Sequence, residues 1–384
     1  MLQPLSVAKF LDEIWGATHY HVQRACAGYF DGLLPGSFAV EELLAHVAPE
    51  PSAVRLVRRG EDKDPDTYRR ADGSLDLAAV RDGFADGYTI VVDNLERYVR
   101  TISSLSHAVE VELNFPTQVN GYITPPGSTG FVAHYDPHDV LVLQIRGSKT
   151  WHVSADAAVP PHEILRRKGT PAAGLSLPTS LRLEVGDVLY LPRGHVHAAE
   201  TTAEPSLHVT VGLHAPTALT LVTAVLRALS LRDERLHVRL PARHLDDDGV
   251  RAGLGDLMRD VAEAIEDPGA VAEGLDALAD VLVRRGRCPP VGPASHAAGI
   301  DGRTRVVRYQ PLYSRVVSAA GGVALQFAQL MITVSPDHDA ALRFVSGCTE
   351  PFLVGDLPGL SAAQQMELAR TLISTGFLAR LPDG

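Results

Sequence analysis

The sequence predicts an α+β protein in which a β-rich core is followed by a helical segment and a small mixed tail. Short strands alternate with turn residues from about residue 86 to residue 213, which is typical of an antiparallel sandwich or barrel. Beyond residue 216 the apolar residues recur at helical spacing instead. The chain has 384 residues, more than one hydrophobic core usually serves, so we expect more than one domain.

The first elements form a helical lead-in to the core. Val7, Phe10 and Ile14 recur at helical spacing, and Ser6 can cap the N-terminus of that helix. Residues 95–105 also have a helical pattern. The predicted strands are 19–22, 88–92, 109–114, 119–123, 139–145, 150–153, 181–185, 188–191, 196–200 and 206–213. Turns rich in Gly, Pro and Asp separate them.

Two helical stretches, residues 218–229 and 250–277, form the middle of the chain. A linker rich in Pro and Gly spans residues 288–293, and the tail beyond it contains a terminal helix at 361–374. The predicted domains are residues 1–215, 216–290 and 291–384.

The balance of charge limits the class of partner. Acidic side chains outnumber basic ones by 46 to 35, which gives a net charge of −11 with His neutral. A general nucleic-acid binder needs a surplus of Lys and Arg, so we expect no nucleic-acid partner. The same charge is compatible with a basic protein or peptide, which an acidic surface attracts.

The sequence gives no sign of secretion or of membrane insertion. Its three cysteines, Cys26, Cys288 and Cys348, are widely separated and odd in number, so neither a disulfide framework nor a CxxC zinc site is expected. The N-terminus lacks the basic and apolar regions of a signal peptide. Residues 316–336 are uncharged but too polar for a spanning helix, and we expect a buried helix followed by a strand there. We therefore expect a cytoplasmic protein with no membrane partner.

The motif with the strongest chemical implication is His134-Tyr135-Asp136 in the β-core. Alternate residues of an extended segment share a face, so His134 and Asp136 can both reach one metal ion. A second histidine, His195 or His197, follows about sixty residues later. Two histidines and one carboxylate form the facial triad that leaves coordination positions open on Fe(II), which suits oxygenases.

Several longer motifs carry a family resemblance. They are NGYITPPGSTGF at 120–131, HYD at 134–136, VLVLQIRGSKTW at 140–151, LYLPRGHVHAAE at 189–200 and SLHVT at 206–210. In these motifs the chain resembles the JmjC-type cupins of the bacterial ribosomal-oxygenase group, in detail over about residues 113–214. The resemblance implies a double-stranded β-helix barrel, then a helical dimerisation domain and a winged-helix-like C-terminal domain.

The resemblance also implies roles for individual residues. The iron ligands it implies are His134, Asp136 and His197, the last because it occupies the family's position in the RGxxHxAE run. Lys149 matches the basic residue that binds the distal carboxylate of 2-oxoglutarate, and a lysine suits that task as a point charge. The further pocket residues are Asn120 and Tyr122, which match polar lining residues, and Thr210, which can donate a hydrogen bond.

The chain departs from the family's pattern in two places. The family usually has an acidic residue soon after the HxD motif, whereas here Pro137 and His138 precede Asp139. His138 follows Asp136 by two residues and is a competing candidate ligand, although Pro137 disturbs regular pleating there. Gly212 stands where the family often has a hydroxyl side chain, which implies a looser wall on the co-substrate or substrate side.

The function that the resemblance implies is an Fe(II)- and 2-oxoglutarate-dependent dioxygenase. Such an enzyme hydroxylates a protein or peptide side chain, with Arg or His of a ribosomal protein as the family's known targets, and acts as a homodimer. Two alternatives stay open. One is hydroxylation of a peptide natural-product precursor or small molecule, which Gly212 and the HYDPH segment favour. The other is a non-catalytic cupin binding module, which the intact triad and Lys149 disfavour.

Overall fold

The structure, a computed structural model, describes residues 1–24, 26–34, 43–44, 47, 50–157, 177–286 and 297–382. The linker predicted at 288–293, including Cys288, lies outside these residues. The chain divides into two compact units. The first comprises Met1–Val109 and Thr117–Ala215, and the second comprises Glu110–Pro116 and Pro216–Gly384.

The first unit contains eleven strands within its described residues. They are β1 Tyr20–Val22, β2 Val54–Arg58, β3 Glu61–Asp62, β4 Thr89–Val92, β5 Thr117–Thr124, β6 Asp139–Arg146, β7 Lys149–Ala157, β8 Thr179–Leu183, β9 Val188–Leu191, β10 His195–Thr201 and β11 Ser206–Leu213. An eight-stranded sheet has the order β1-β9-β6-β11-β5-β4-β2-β3, and a three-stranded sheet has the order β10-β7-β8. All their pairings are antiparallel. The prediction of a mixed protein with an antiparallel β-core is confirmed.

Apolar side chains from the two sheets pack against each other. The cluster comprises Val140, Val142, Leu189 and Leu191 from the large sheet and Trp151, Val153 and Leu183 from the small sheet. All of them are buried, as expected for two sheets that face each other across a common core. This two-layered arrangement leaves the inward-facing polar residues of the same strands inside the protein.

The helices α1 Leu77–Ala85 and α2 Arg100–Leu113 lie between strands of the first unit, and the last turn of α2 belongs to the second unit. The lead-in is shorter than its apolar spacing predicts: a turn at Val7–Lys9 continues as a π-helical turn over Phe10–Ile14. Ser6 caps it as predicted, because its Oγ accepts a hydrogen bond from the N–H of Lys9 at 3.2 Å.

The strand predicted at 109–114 is wrong, because α2 continues through Leu113. Apolar and acidic residues alternate there, and so short an alternation does not distinguish a strand from the end of a helix. Asn114 ends the helix with a φ of 56°, and its N–H donates to the carbonyl of Glu110 at 2.9 Å. A residue in the left-handed region is a common helix terminator.

The second unit begins with three helices. They are α3 Ala218–Leu229, α4 Asp248–Ile265 and α5 Pro268–Arg285. The helix predicted at 218–229 is confirmed at both ends, whereas the stretch predicted at 250–277 is divided between α4 and α5. Pro268 starts α5, where its missing N–H costs nothing, and Asp267 caps that helix by accepting from the N–H groups of Gly269 and Ala270.

Close packing of α3 and α5 depends on one glycine. A Cβ on Gly274 of α5 would lie 2.4 Å from Val225 Cγ2 of α3, a distance that side chains do not adopt. Val225 belongs to a buried cluster with Leu229, Ala264 and Ala270, so all three helices share one core.

The remaining elements of the second unit are short. They are β12 Arg305–Arg308, β13 Ser314–Ala319, β14 Gly322–Phe327, β15 Leu330–Val334, α6 Asp339–Gly347, β16 Phe352–Leu353, α7 Ala362–Ser374 and β17 Leu378–Arg380. The sheets have the orders β13-β14-β15 and β16-β12-β17. The terminal helix predicted at 361–374 is confirmed, with Ser361 as its N-cap.

The buried helix predicted within residues 316–336 is wrong, because this stretch forms the antiparallel meander β13-β14-β15. Gly321 turns the chain with a φ of 81°, and Ala328 and Gln329 turn it again with φ values of 45° and 66°. Short apolar runs fit a buried helix or a strand equally well, and only these turns decide between them. In the described part of the chain no helix is long and apolar enough to cross a membrane.

Candidate metal centre and cavity

Three predicted metal ligands lie together inside the first unit. The Nε2 atom of His197 is 3.6 Å from Asp136 Oδ2, and that of His134 is 4.0 Å from the same oxygen. One possible ligand atom from each residue lies within 4.8 Å of the other two. His138, the competing candidate, is outside this cluster.

Main-chain hydrogen bonds hold the HxD segment against β10. The N–H of His134 donates to the carbonyl of His197 at 3.0 Å, and the N–H of His197 donates to the carbonyl of His134 at 2.8 Å. The N–H of Gly194 donates to the carbonyl of Asp136 at 2.9 Å. Residues about sixty positions apart are therefore placed side by side by backbone pairing rather than by their side chains.

The orientation of both imidazoles suits metal binding. His134 Nδ1 is 2.8 Å from the carbonyl oxygen of Val132, and His197 Nδ1 is 3.1 Å from that of His195. A proton on each Nδ1 leaves the Nε2 lone pair for a metal, which is the usual arrangement in metal-binding histidines. Two imidazoles and a carboxylate form a donor set that fits Fe(II) and leaves positions open for other ligands.

The cluster lines a cavity of about 440 Å³. Facing residues of β5 and β11 form one wall of it, namely Tyr122 opposite His208, Asn120 opposite Thr210, and Gln118 opposite Gly212. Because alternate residues of a strand share a face, two strands suffice to place all six in one wall. The structure thus brings the predicted pocket residues Asn120, Tyr122 and Thr210 into the cavity that contains the cluster.

Lys149 lies in the same cavity, only 4% exposed. Its Nζ donates to Thr124 Oγ1 at 2.9 Å, and Thr89 Oγ1 donates to the same oxygen at 3.2 Å. Burial lowers the pKa of Lys149 to about 7, without an opposing charge among the described residues to offset it. A cation buried in this way fits an anionic ligand, since burial of a lone charge is otherwise costly.

The phenol of Tyr122 forms a polar surface beside the cluster. Its ring stacks on the imidazole of His208, with centroids 4.8 Å apart and planes 2° from parallel. Burial raises the pKa of Tyr122 to about 12, and the negative charges of Asp136 and Asp93 contribute to the same shift. Tyr122 therefore keeps its proton at neutral pH and can donate it in a hydrogen bond.

The wall expected to be loose at Gly212 is filled by His138. A Cβ on Gly212 would lie 2.9 Å from two atoms of the His138 ring, and that ring lies 4.4 Å from the ring of His214. Asp139 of β6 pairs with Leu213 of β11, so His138 and His214 are the next residues beyond the paired ends. The chain departs from the family's pattern at Gly212 and at His138, and these two residues pack against each other in the cavity wall.

Some residues in or beside the cavity were missed by sequence reasoning. Thr124, the hydrogen-bond partner of Lys149, follows Tyr122 by two along β5, so the strand alternation contained the signal for it. Trp151, two residues after Lys149 on β7, is buried and also lines the cavity. Arg55 and Asp93 form an ion pair at 2.6 Å and line the cavity as well. Arg55 lies on β2, and Asp93 directly follows β4. These strands join the large sheet through the pairing of β4 with β5, and no local sequence pattern predicts that pairing.

Two facing antiparallel sheets with a His–Asp–His cluster between them are consistent with a cupin fold. Residues 96–221 match the JmjC domain. The resemblance to JmjC-type proteins that the motifs carry is confirmed over these residues.

The curated relatives are proteins named bifunctional lysine-specific demethylase and histidyl-hydroxylase NO66. That of Drosophila grimshawi is 29% identical over 219 residues, which cover 56% of this chain and 30% of the relative. That of Drosophila yakuba is 23% identical over 440 residues, which cover 98% of this chain and 62% of the relative. The chain thus spans less than two thirds of the length of these relatives.

Solved structures share the fold over almost the whole chain. The structure of Escherichia coli YcfD has a TM-score of 0.65 and 17% identity, and the match covers 98% of both chains. YcfD in complex with cobalt and 2-oxoglutarate has a TM-score of 0.62 and 16% identity, again over 98% of both chains. At this level of identity the likeness concerns the fold.

Proposed function

We propose that this chain is an Fe(II)- and 2-oxoglutarate-dependent dioxygenase that hydroxylates a protein or peptide side chain. One observation carries the proposal: a single cavity contains the His134–Asp136–His197 cluster and the buried Lys149. The cluster offers a metal site with open positions, and Lys149 offers a fixed positive charge. A dicarboxylate that chelates the metal at one end and contacts Lys149 at the other uses both features.

The names of the relatives and the ligands of the solved structures support this proposal. YcfD is described as a ribosomal oxygenase and was solved with cobalt and 2-oxoglutarate and with cobalt and succinic acid. The NO66 relatives are named as demethylases and histidyl-hydroxylases. We propose that the cavity of this chain binds the same pair of ligands, the co-substrate 2-oxoglutarate and its decarboxylated product succinate.

Each residue of the cavity has a role in this proposal. His134, Asp136 and His197 hold the metal. Bound Fe(II), with 2-oxoglutarate and dioxygen, supplies the oxidation of a C–H bond to an alcohol, with succinate and carbon dioxide as by-products. Lys149, held by Thr124, donates to the distal carboxylate of the co-substrate.

The remaining polar lining orients the co-substrate and limits water. Tyr122 keeps its hydroxyl proton and donates it, while Asn120 and Thr210 line the wall beside it. Asn120 is itself fixed, because its Oδ1 accepts from the N–H of Asn94 at 3.0 Å. Enclosure between two sheets excludes water from the reacting groups, which protects a reactive oxidant from side reactions.

The substrate we propose is a basic protein, with Arg or His of a ribosomal protein as the first candidates. The net charge of −11 favours a basic partner through electrostatic attraction. A second candidate is a peptide natural-product precursor or a small molecule. The His138–His214 pair over Gly212 favours it, because this part of the wall departs from the family's pattern.

We further propose that the protein is a cytoplasmic homodimer that pairs through its helical middle, with residues 291–384 as a winged-helix-like domain. Large apolar side chains are exposed on α3, α4 and α5 and in the connection between α3 and α4. They are Leu219, Leu231, Val238, Leu240, Leu245, Met258 and Leu275. A second copy of the chain would bury them, and exposed apolar patches of this kind commonly mark association surfaces.

The test is release of succinate from 2-oxoglutarate by the purified chain with Fe(II) and ascorbate. We expect turnover that basic ribosomal proteins stimulate, and a mass gain of one oxygen atom on one of them. The matched controls are His134→Ala and Asp136→Ala, which should abolish turnover. A chain that retains no metal and binds no 2-oxoglutarate would contradict the proposal and favour a non-catalytic binding module. Stimulation by peptides or small molecules alone would favour the second candidate substrate.

A further inference from the structure

Lys149 stands at the start of β7, and it forms no ion pair with any residue that the structure describes. Its Nζ has one hydroxyl partner, Thr124, and in the paired strands Lys149 lies opposite Leu183 and Thr201. Two titratable groups of the same cavity lie on neighbouring strands: His208 of β11, whose pKa the charge of Lys149 affects, and Tyr122 of β5, which stacks on His208. The cavity also contains two carboxylates, that of Asp93, which pairs with Arg55, and that of Asp136, which lies in the cluster with His134 and His197. Within the described residues neither carboxylate forms an ion pair with Lys149.

Both titratable neighbours stay neutral near physiological pH. Burial lowers the pKa of His208 well below its usual range, and the charge of Lys149 lowers it further. Burial raises the pKa of Tyr122 to about 12. The stacked pair therefore offers Lys149 hydrogen-bonding and apolar surface but no negative charge at any pH between about 7 and 9.

A buried ammonium in such surroundings loses hydration and gains one hydrogen bond in return. Desolvation disfavours the charged form of a lysine, which lowers the pKa of Lys149 to about 7. In the cavity without ligand, the amine and the ammonium are therefore both populated near neutral pH. A carboxylate placed beside Nζ reverses the balance, because an opposite charge within a few ångströms favours the ammonium.

We propose, on the basis of the proposed function, that 2-oxoglutarate binds with the uptake of a proton from solvent by Lys149. The carboxylate keeps its charge, the neutral amine gains the proton, and the complex contains an ammonium–carboxylate pair. The affinity for 2-oxoglutarate then decreases as the pH rises. It is constant below the pKa of the free lysine and weakens about tenfold for each pH unit above it.

Calorimetry of the Mn(II)-loaded full chain measures this uptake directly. Titration with 2-oxoglutarate in buffers of different ionisation enthalpy gives the number of protons taken up per ligand. From a free pKa of about 7, we expect uptake of about 0.9 proton at pH 8 and about 0.1 at pH 6. The matched control is Lys149→Arg, whose guanidinium stays protonated, so uptake should vanish and affinity should no longer fall with pH. Equal uptake by the wild type and this variant would overturn the proposal.

A second measurement does not depend on a variant that folds or on co-substrate binding. The chain has four lysines, Lys9, Lys63, Lys149 and Lys168, so labelling with [ε-¹³C]lysine gives a spectrum of four signals. We expect one signal to titrate near pH 7 in the free protein and to remain in the ammonium form with 2-oxoglutarate bound at pH 8. Four signals that all titrate near 10.5 would overturn this inference alone. Failure of the wild type to bind 2-oxoglutarate would instead overturn the proposed function.

Discussion

The imidazole of His138 lies directly over Gly212, so that a Cβ on that glycine would be 2.9 Å from the ring atoms Cδ2 and Nε2. The same ring lies 4.4 Å from that of His214, which limits its room to move aside. The two positions at which the chain departs from its family therefore compensate each other in space. A small residue at 212 is required by the large one at 138.

This relationship predicts a coupled effect on stability. Gly212→Ala should lower the free energy of unfolding by about 1–3 kcal/mol, because the methyl group overpacks the wall. Combined with His138→Ala, the same change should cost much less, since the ring that it meets is gone. Thermal and urea unfolding of the two single variants and the double variant measure the coupling. Gly253→Ala on α4, where a Cβ meets nothing within 4 Å, is the control and should be neutral or stabilising. Additive effects would contradict the packing argument.

Metal retention should depend on the three clustered residues and not on His138. His134→Ala and Asp136→Ala should each weaken binding of Co(II) at least about 100-fold, since even changes around metal ligands cost 10- to 100-fold. His138→Ala should leave the affinity unchanged, because its side chain lies outside the cluster. Metal content after purification and titration with Co(II) measure these effects. Loss of metal from the His138 variant would instead make it a ligand.

Co-substrate affinity should depend on Lys149 and Thr124 without any change in metal binding. Lys149→Met should weaken binding of 2-oxoglutarate to the Mn(II)-loaded protein about 10- to 100-fold, the usual effect of losing a hydrogen bond to a charged group. Thr124→Val should weaken it up to about tenfold, because Lys149 then loses the acceptor that fixes its Nζ. Calorimetric titration gives both values. Unchanged affinity in the Lys149 variant would place the carboxylate elsewhere in the cavity.

Burial of His208 predicts a loss of stability in acid. Its pKa in the folded protein is well below the ordinary 6.5, so below pH 6.5 the unfolded chain binds a proton that the folded chain does not. The free energy of unfolding should therefore fall as pH decreases from 6.5, by up to about 1.4 kcal/mol per pH unit from this group. Denaturant unfolding of wild type and His208→Phe, compared from pH 7.5 to pH 5, isolates the contribution. Parallel curves for the two proteins would contradict it.

Exposed apolar side chains in the connection between α3 and α4 predict the effect of substitutions on the oligomeric state. Leu231 is 89% exposed and Leu245 is 80% exposed in the single chain. Replacing both with Glu should weaken the proposed homodimer by about 1–3 kcal/mol per residue if they are buried by a second copy. Light scattering after size exclusion measures the mass, and thermal unfolding confirms that the fold persists. A monomeric wild type would refute the dimer.

Much of the β-core could be predicted from local patterns. The strands at 188–191 and 206–213 were located to the residue, because turns with Gly, Pro and Asp delimit them on both sides. The errors at 109–114 and 316–336 have a common cause. A run of a few apolar residues fits both the helical period and the strand period. Only a turn, or the continuation of a helix, shows which of the two elements forms. Part of the site follows the same rule, since the alternation along β5 places Asn120, Tyr122 and Thr124 on one face.

By itself, the sequence determined the chemical types at the site. The HxD pair follows from the two-residue spacing of an extended segment, the later histidine was one of two candidates, and the lysine and the polar pocket residues follow from the family resemblance. The choice between His195 and His197 came from resemblance, and the structure supplies its physical reason. The register of β10 shifts between these residues, and the backbone of His197 is the one that pairs with His134. Only the tertiary structure decided that His138 leaves the cluster and covers Gly212, because that contact depends on the pairing of β6 with β11. Likewise, the absence of an ion pair to Lys149 among the described residues is a property of which strands surround it, and no local pattern contains that information.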